Sequence, residues 1–566
     1  MGALLFLGTL GIASARPGGA APRPILSELE PALPVLAPGE RHLLLLMIDG
    51  LPPAAFDEAL AAHELPNLER LFAARPTLRT RALSTFPSST SPSVPELLSG
   101  RWVQRDDLPA PDAVHAFDRE QRRVVRYIAE PDTWSWPVPN LFDAATQAGL
   151  PAVTVFEGRW QGPESILTTA AIARSAALEL LGAREFVGGD SRPVEALVSR
   201  IRSQGAPRVM LVVFNEVDMK GHFHGPGSIE VRRALVATDA LIGEIAGALG
   251  QEKTPSGRSV LDETTIILFG DHGMAPSGTF LDLEAFFRSR GLVAYDASTA
   301  TQLVLRERFG SRWTRWPDVI LVSGGSNITQ VYLRSPSGGW SDGAGAVPAV
   351  PKEVERARRC PGVEEIASEL LEVPGVHQVL RLVAPGEVEI RADGGRIAWV
   401  IERGEGKARR WAYVVPDGAA ADPLEYLDDP GVAPLVTRRG ALSDGSFFDL
   451  ETWLERTWNA HYPAAVPLVG KAFHPQRFAG DLMVTAQLGW SFLRDQRGDH
   501  GNLDREVMFT PLVLNGPGVE EGATLSRARL IDIYPTAAVL LGADPDDPAL
   551  TGLDGRVLPG VHPPVH

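Results

Sequence analysis

Four short segments of this sequence place aspartate or histidine in positions that read as loops, three of them where an apolar run breaks off. Asp49 follows Leu43 to Ile48 (LLLLMI). Asp218 and His222 lie in Asn215-Glu216-Val217-Asp218-Met219-Lys220-Gly221-His222, after Val209 to Phe214. Asp271 and His272 open Asp271-His272-Gly273-Met274, after Thr265 to Phe269. His500 sits in Gly498-Asp499-His500-Gly501. Carboxylate and neutral imidazole suit zinc and similar divalent ions. Three aspartates and three histidines are enough for two ions with open positions. Each piece alone is ordinary, since a single Asp after a strand caps a turn or a helix in most proteins. The weight lies in the set.

A fifth segment, Ser84 to Gly100, is dense in hydroxyls: Ser84-Thr85-Phe86-Pro87-Ser88-Ser89-Thr90-Ser91-Pro92-Ser93-Val94-Pro95-Glu96-Leu97-Leu98-Ser99-Gly100. Pro92 and Pro95 fit the first turn of a helix running to Gly100, with Ser89, Thr90 and Ser91 at its mouth. Such a terminus favours a bound anion, and its free N–H groups suit phosphate. A hydroxyl there is a poor nucleophile at neutral pH unless something activates it, and a metal ion can.

Positioning these groups is a task for buried strands. The runs ending at Ile48, Phe214 and Phe269, with Val153 to Phe156, are short and almost wholly apolar. Helical patterns such as Asn140 to Ala148 and Ile229 to Leu249 lie between them. Strands alternating with helices imply a parallel sheet covered on both faces, with ligands at the carboxyl ends of its strands. From 276 to 480 the rhythm changes. Gly/Pro-rich stretches appear, and Val388 to Ile390 and Ile397 to Val400 flank Asp393-Gly394-Gly395 as in a strand meander. We expect an inserted cap of α+β character there. Leu482 to Thr485 and Val507 to Leu514 are expected to rejoin the first sheet. No internal repeat is evident.

Composition narrows the options. The chain has 566 residues, 44% hydrophobic and 22% charged, as in ordinary globular proteins. Its 54 Lys+Arg against 70 Asp+Glu give a net charge of −16, which argues against general nucleic-acid binding. Cys360 is the one cysteine, so neither a disulfide framework nor a multi-cysteine zinc site is available. Ala3 to Ala15 (ALLFLGTLGIASA) reads as a signal peptide ending in Ala13-Ser14-Ala15, so export to the periplasm or the medium is expected. No stable membrane anchor is expected. The expected organisation is a signal at 1–15, a Pro/Ala/Gly linker at 16–40, a catalytic domain at 41–275 and 481–566, and the cap at 276–480.

Taken together, the five segments resemble the alkaline phosphatase superfamily, and most of all its type I phosphodiesterase/nucleotide pyrophosphatase branch. The family pattern runs in the same order: an Asp after the first strand, a Ser or Thr opening a helix, Asp-x-x-x-His, Asp-His-Gly, and a final His in Gly-x-His-Gly. The stretch Arg529-Leu530-Ile531-Asp532-Ile533-Tyr534-Pro535-Thr536 and the following Leu540-Leu541-Gly542 are similar to the family's ending. The resemblance implies an α/β sandwich with a central, mostly parallel sheet flanked by helices, plus a variable insertion. It implies that Thr90 is the nucleophile and also a metal ligand. One ion would lie on Asp49, Asp271 and His272, the other on Asp218, His222 and His500, zinc being the first candidate for both. Two ions of this kind can stabilise the attacking and leaving oxygens of an in-line displacement on a small-molecule phosphate ester or nucleotide.

The sequence also departs from the pattern. Where many phosphodiesterase relatives have an Asn on a phosphate oxygen, the nearest match here is His115, in Val114-His115-Ala116-Phe117-Asp118. An imidazole can donate to phosphate. Tyr127, Trp134 and Trp136 nearby could stack on a leaving group or simply pack. His224 is a weaker ligand candidate than His222, Asp499 is expected to shape a turn, and His461, His474 and Cys360 are expected to be structural. The Asn327-Ile328-Thr329 sequon carries little weight. A monoesterase or phosphonate hydrolase on the same site is the alternative, although no Lys/Arg pair suited to a doubly charged phosphate is evident. A sulfatase is disfavoured because the nucleophile segment lacks the usual Cys. A non-catalytic protein retaining the fold is disfavoured by the intact ligand set.

Overall fold

The computed structural model describes residues 33–103, 116–125, 138–155, 163–166, 189–297, 310–335, 338–340, 362–474 and 477–564. Among them an eight-stranded sheet runs in the order Ala528–Arg529, Thr77–Leu83, Phe509–Asn515, Thr264–Phe269, His42–Ile48, Val209–Phe214, Ala152–Val155, Glu164–Ile166. All pairings are parallel except the two made by Phe509–Asn515. His42–Ile48 is central and shows why a continuous apolar run forms here. Leu43, Leu45 and Met47 face one helical layer, formed by Thr90–Ser99, Leu141–Gln147 and Ile533–Leu540. Leu44, Leu46 and Ile48 face the other, formed by Pro53–Ala61, Pro66–Ala74, Ser191–Gln204 and Ile229–Gln251. Each fully buried leucine contributes about 1.5–3 kcal/mol of transfer free energy, so both faces of the strand must be apolar.

The helices begin and end where local chemistry directs. Asn140 caps Leu141–Gln147 through a reciprocal capping box with Asp143. Ser228 caps Ile229–Gln251 by accepting from Val231 N. Thr90–Ser99 ends at Gly100, whose φ of 66° gives the left-handed stop.

Most of the stretch from 294 to 486 contributes to a second, nine-stranded and largely antiparallel sheet. Its order is Ala294–Asp296, Val319–Ser323, Ile328–Leu333, Leu482–Ala486, Val376–Ala384, Glu387–Ala392, Ile397–Arg403, Arg410–Val415, Val436–Arg438. The expected meander around Asp393-Gly394-Gly395 is an antiparallel hairpin. One expectation fails. Leu482–Ala486 does not return to the first sheet but pairs with Ile328–Leu333 and Val376–Ala384 in the second. Its residues are all buried, and a run that is apolar on both faces fits the centre of either sheet equally well. Phe509–Asn515 and the short Ala528–Arg529 rejoin the first sheet.

The two sheets share a core. Leu83, Phe86, Trp102 and Phe509 pack into the cluster formed by the second sheet and the helices Leu450–Thr457 and Ala465–Ala472. Asn327 is 1% exposed and donates through Nδ2 to Trp490 O, so the folded protein does not present this sequon. Among the described residues no helix is long and apolar enough to cross a membrane.

His461 links the lobes through Asp504, which follows the His500 loop. Its Nε2 is 2.7 Å from Asp504 Oδ1 and its Nδ1 is 3.2 Å from Glu425 Oε2. The hydrogen bond to Asp504 outweighs burial and, with Glu425, pushes the imidazolium up to about 9. A histidine raised in the fold stabilises fully below its unfolded value near 6.5, and that contribution is lost as pH rises through about 9. The melting temperature of His461→Gln should therefore trail the wild type most near pH 6, with the gap closing by about pH 10. A gap that stays constant across this range would contradict the assignment.

Candidate metal centre

Asp49 and Asp271 stand just past the carboxyl ends of His42–Ile48 and Thr264–Phe269, adjacent strands of the first sheet. Asp218 and His222 are not in a loop, as the sequence suggested, but on a helix, Glu216–His224. The Asp-x-x-x-His spacing is one helical turn, so both side chains share a face. The buried Asp190 carboxylate accepts from Asn215 N (3.1 Å) and Glu216 N (3.2 Å) and fixes where this helix starts. His500 arrives from the far end of the chain, after a short bridge from Gly498–Asp499 to Ala275–Phe280.

The fold sorts the six residues into two groups, Asp49, Asp271 and His272 in one and Asp218, His222 and His500 in the other. Within each group one potential ligand atom per residue lies within 4.8 Å of the others. The groups adjoin, because the His272 and His500 rings stack with centroids 3.7 Å apart. Thr90 opens the Thr90–Ser99 helix, and its Oγ1 is 3.4 Å from both Asp49 Oδ1 and His272 Nε2. Ser89 and Ser91 on either side are buried.

Backbone carbonyls orient all three imidazoles. Nδ1 of His222 lies 3.0 Å from Gly498 O, that of His272 2.9 Å from Gly273 O, and that of His500 2.8 Å from Ser88 O. A carbonyl only accepts, so each Nδ1 carries a proton and each Nε2 faces inward, able to bind an ion once deprotonated. The Nε2 atoms of His222 and His500 are 3.2 Å apart. Two lone pairs at that distance require a proton or a cation between them. Asp218 Oδ1 and Asp271 Oδ2 are buried without a hydrogen-bond donor. A donor set of carboxylate oxygens and inward imidazole nitrogens, some lacking partners, fits divalent ions.

The titration behaviour reflects the same crowding. Burial, then the Asp271 and Asp218 charges, raise the Asp49 carboxyl well above the usual range. Burial opposes the Asp218 carboxylate, but the His222 imidazole outweighs it and holds the group low. Burial likewise opposes the His222 cation, and Asp218 overcomes it, pushing the ring up to about 9. Burial and the neighbouring His272 and His222 rings hold His500 well below its ordinary value.

Residues 43–334 match the family model described as type I phosphodiesterase/nucleotide pyrophosphatase. The chain belongs to this family. It is a phosphoric ester hydrolase of the alkaline phosphatase superfamily, and the family is metal-dependent and acts on small phosphodiesters or nucleotides. The family match takes in every candidate ligand except His500, which the fold delivers from beyond it.

Other candidates are placed elsewhere. His224 is exposed and outside both groups. Asp499 Oδ1 accepts from His500 N at 2.9 Å and so braces the turn. His474 pairs with Glu402 in the second lobe at 3.1 Å. His115, Tyr127, Trp134, Trp136 and Cys360 lie outside the described residues.

Several contributors carry no sequence signal of their own. Ser84 Oγ donates to Asp271 O at 2.6 Å. Ser88 accepts His500 Nδ1 at its carbonyl, while its hydroxyl donates to Asn502 O and accepts Gly501 N. The glycine of Asp-His-Gly is steric, since a Cβ at Gly273 would lie 2.4 Å from Glu506 O. Gly50 has φ 61° and donates to Asp271 Oδ1 at 3.1 Å. A Cβ there would lie 2.5 Å from Asp218 Oδ1. Gly50→Ala should thus push Asp218 aside and weaken metal affinity by roughly 10–100-fold, the range for loss of a supporting contact. Metal analysis after dialysis against graded chelator checks this, and wild-type retention of metal would contradict it.

Proposed function

We propose that this protein hydrolyses phosphoric diesters through a covalent phospho-threonine at Thr90, over two divalent ions, zinc being the first candidate. The observation that carries the reading is the position of Thr90 Oγ1, 3.4 Å from two atoms of one ligand group, with the second group stacked alongside. Asp49, Asp271 and His272 would hold one ion and Asp218, His222 and His500 the other. Bound there, such ions supply charge stabilisation to the attacking and leaving oxygens of a displacement at phosphorus.

The chain's own groups do the remainder. Thr90 Oγ1 forms a bond to phosphorus as the bond to the leaving oxygen breaks, and the Thr90 hydroxyl proton departs with the leaving oxygen. The N-terminus of the Thr90–Ser99 helix favours the negative phosphoryl group by about 0.3–1 kcal/mol, more when partly buried. Water then displaces Thr90, restoring its hydroxyl and releasing the product. Nδ1–H bonds to Ser88, Gly273 and Gly498 keep the imidazoles from rotating through the cycle. The family description supports diesters as the preferred class, and the Ala3 to Ala15 run supports export as the cellular setting.

The test is metal analysis combined with bis-aryl and mono-aryl phosphate turnover. We expect two ions per chain, faster turnover of the bis-aryl ester, and a loss of roughly 10³-fold or more in kcat for Thr90→Ala. Full activity in Thr90→Ala would end the covalent reading. Faster mono-aryl turnover would move the assignment to a monoesterase.

A further inference from the structure

Lys471 is a fully buried lysine, 0% exposed, on the second-lobe helix Ala465–Ala472. Its Nζ donates to Thr85 Oγ1 at 2.7 Å and to Glu96 Oε1 at 2.8 Å. It also lies 5.0 Å from the centroid of the Trp102 ring. An ammonium has three N–H groups. Two are taken by these oxygens, and the third side faces a π surface that favours a cation. Glu96 Oε1 also accepts from Val103 N at 3.1 Å.

Thr85 and Glu96 bracket Thr90. Thr85 lies before the turn into the helix, and Glu96 lies past the helix's first turn. One ammonium therefore grips both ends of the stretch whose middle presents the proposed nucleophile. Two further fixings of this stretch come from segments that carry candidate ligands, Ser84 through Asp271 O and Ser88 through His500 Nδ1. The grip from Lys471 comes from the second lobe. Trp411 of that lobe packs against Trp102 with centroids 6.1 Å apart.

We propose that Lys471 is a positioning residue for Thr90, clamping Thr85 and Glu96 so that the second lobe sets the attack geometry of the nucleophile. This rests on the reading of Thr90 as nucleophile. Lys471 touches no reacting atom. A group misplaced by about 1 Å can lose 10²-fold in rate, and such a loss falls on kcat rather than on substrate binding.

The experiment compares Thr90→Ala, Lys471→Met, Thr85→Val and Thr85→Ser as full-length, metal-loaded proteins on a bis-aryl phosphate. Lys471→Met leaves Glu96 buried without its cation and can fail to fold. Thr85→Val keeps shape and charge while removing the hydroxyl that accepts from Lys471. The expected result is that Thr85→Val lowers kcat by roughly 10–100-fold with KM and metal content near wild type and a melting temperature lowered by several degrees but still above the assay temperature. Thr85→Ser, which keeps the hydroxyl, should restore most of kcat. If Thr90→Ala is inactive while Thr85→Val, and Lys471→Met where it folds, show wild-type kcat, the inference falls and the nucleophile assignment stands. If Thr90→Ala is fully active, the nucleophile assignment falls and takes this inference with it.

Discussion

The structure turns on a concentration of electron-pair donors that repel one another. Asp49, Asp218 and Asp271 converge at the ends of adjacent elements, and burial and mutual charge already hold the Asp49 carboxyl well above its usual range. Three imidazoles add inward lone pairs, because Gly498, Gly273 and Ser88 carbonyls occupy their other nitrogens. Left to themselves these groups would separate or take up protons. Divalent ions turn the same arrangement from repulsive to attractive, because metal affinity follows from deprotonated, oriented ligands. The apolar faces of the first sheet, with a helical layer packed on each side, supply the rigidity that holds the groups together.

This constraint explains why the ligand set draws on distant parts of the chain. Strand ends deliver Asp49 and Asp271, a single helical turn delivers Asp218 and His222, and His500 comes from beyond the family match. Ser88 and His500 are 412 residues apart in sequence yet share a 2.8 Å hydrogen bond. The Thr90 segment is consequently tied into the candidate metal centre. The second lobe reaches the same segment by a separate route, through the buried Lys471–Glu96 pair.

Much of this is legible in the sequence. Apolar runs ending in Asp-Gly or Asp-His marked the ends of buried parallel strands, since such runs form where both faces are covered. Pro92 and the glycine at 100 marked the Thr90–Ser99 helix, although Pro95 lies inside the helix and not in its first turn as expected. The side chains that the resemblance assigned to two ions are gathered into the same two sets. Other features were illegible for physical reasons. The Asp218–His222 helix is short and its residues follow a strand, so nothing distinguished it from a loop. Leu482–Ala486 is apolar on both faces, a pattern that names a buried strand but not its sheet. The hydrogen bonds of Ser84 and Ser88 join long-range partners, and no local pattern encodes those.

The central claim is a double displacement at phosphorus through Thr90. It is tested most directly by the stereochemical course of transfer from a diester made chiral at phosphorus with oxygen isotopes or sulfur to an acceptor alcohol. Two in-line steps, each inverting, predict net retention of configuration. Net inversion would show direct attack by the acceptor and would contradict the account.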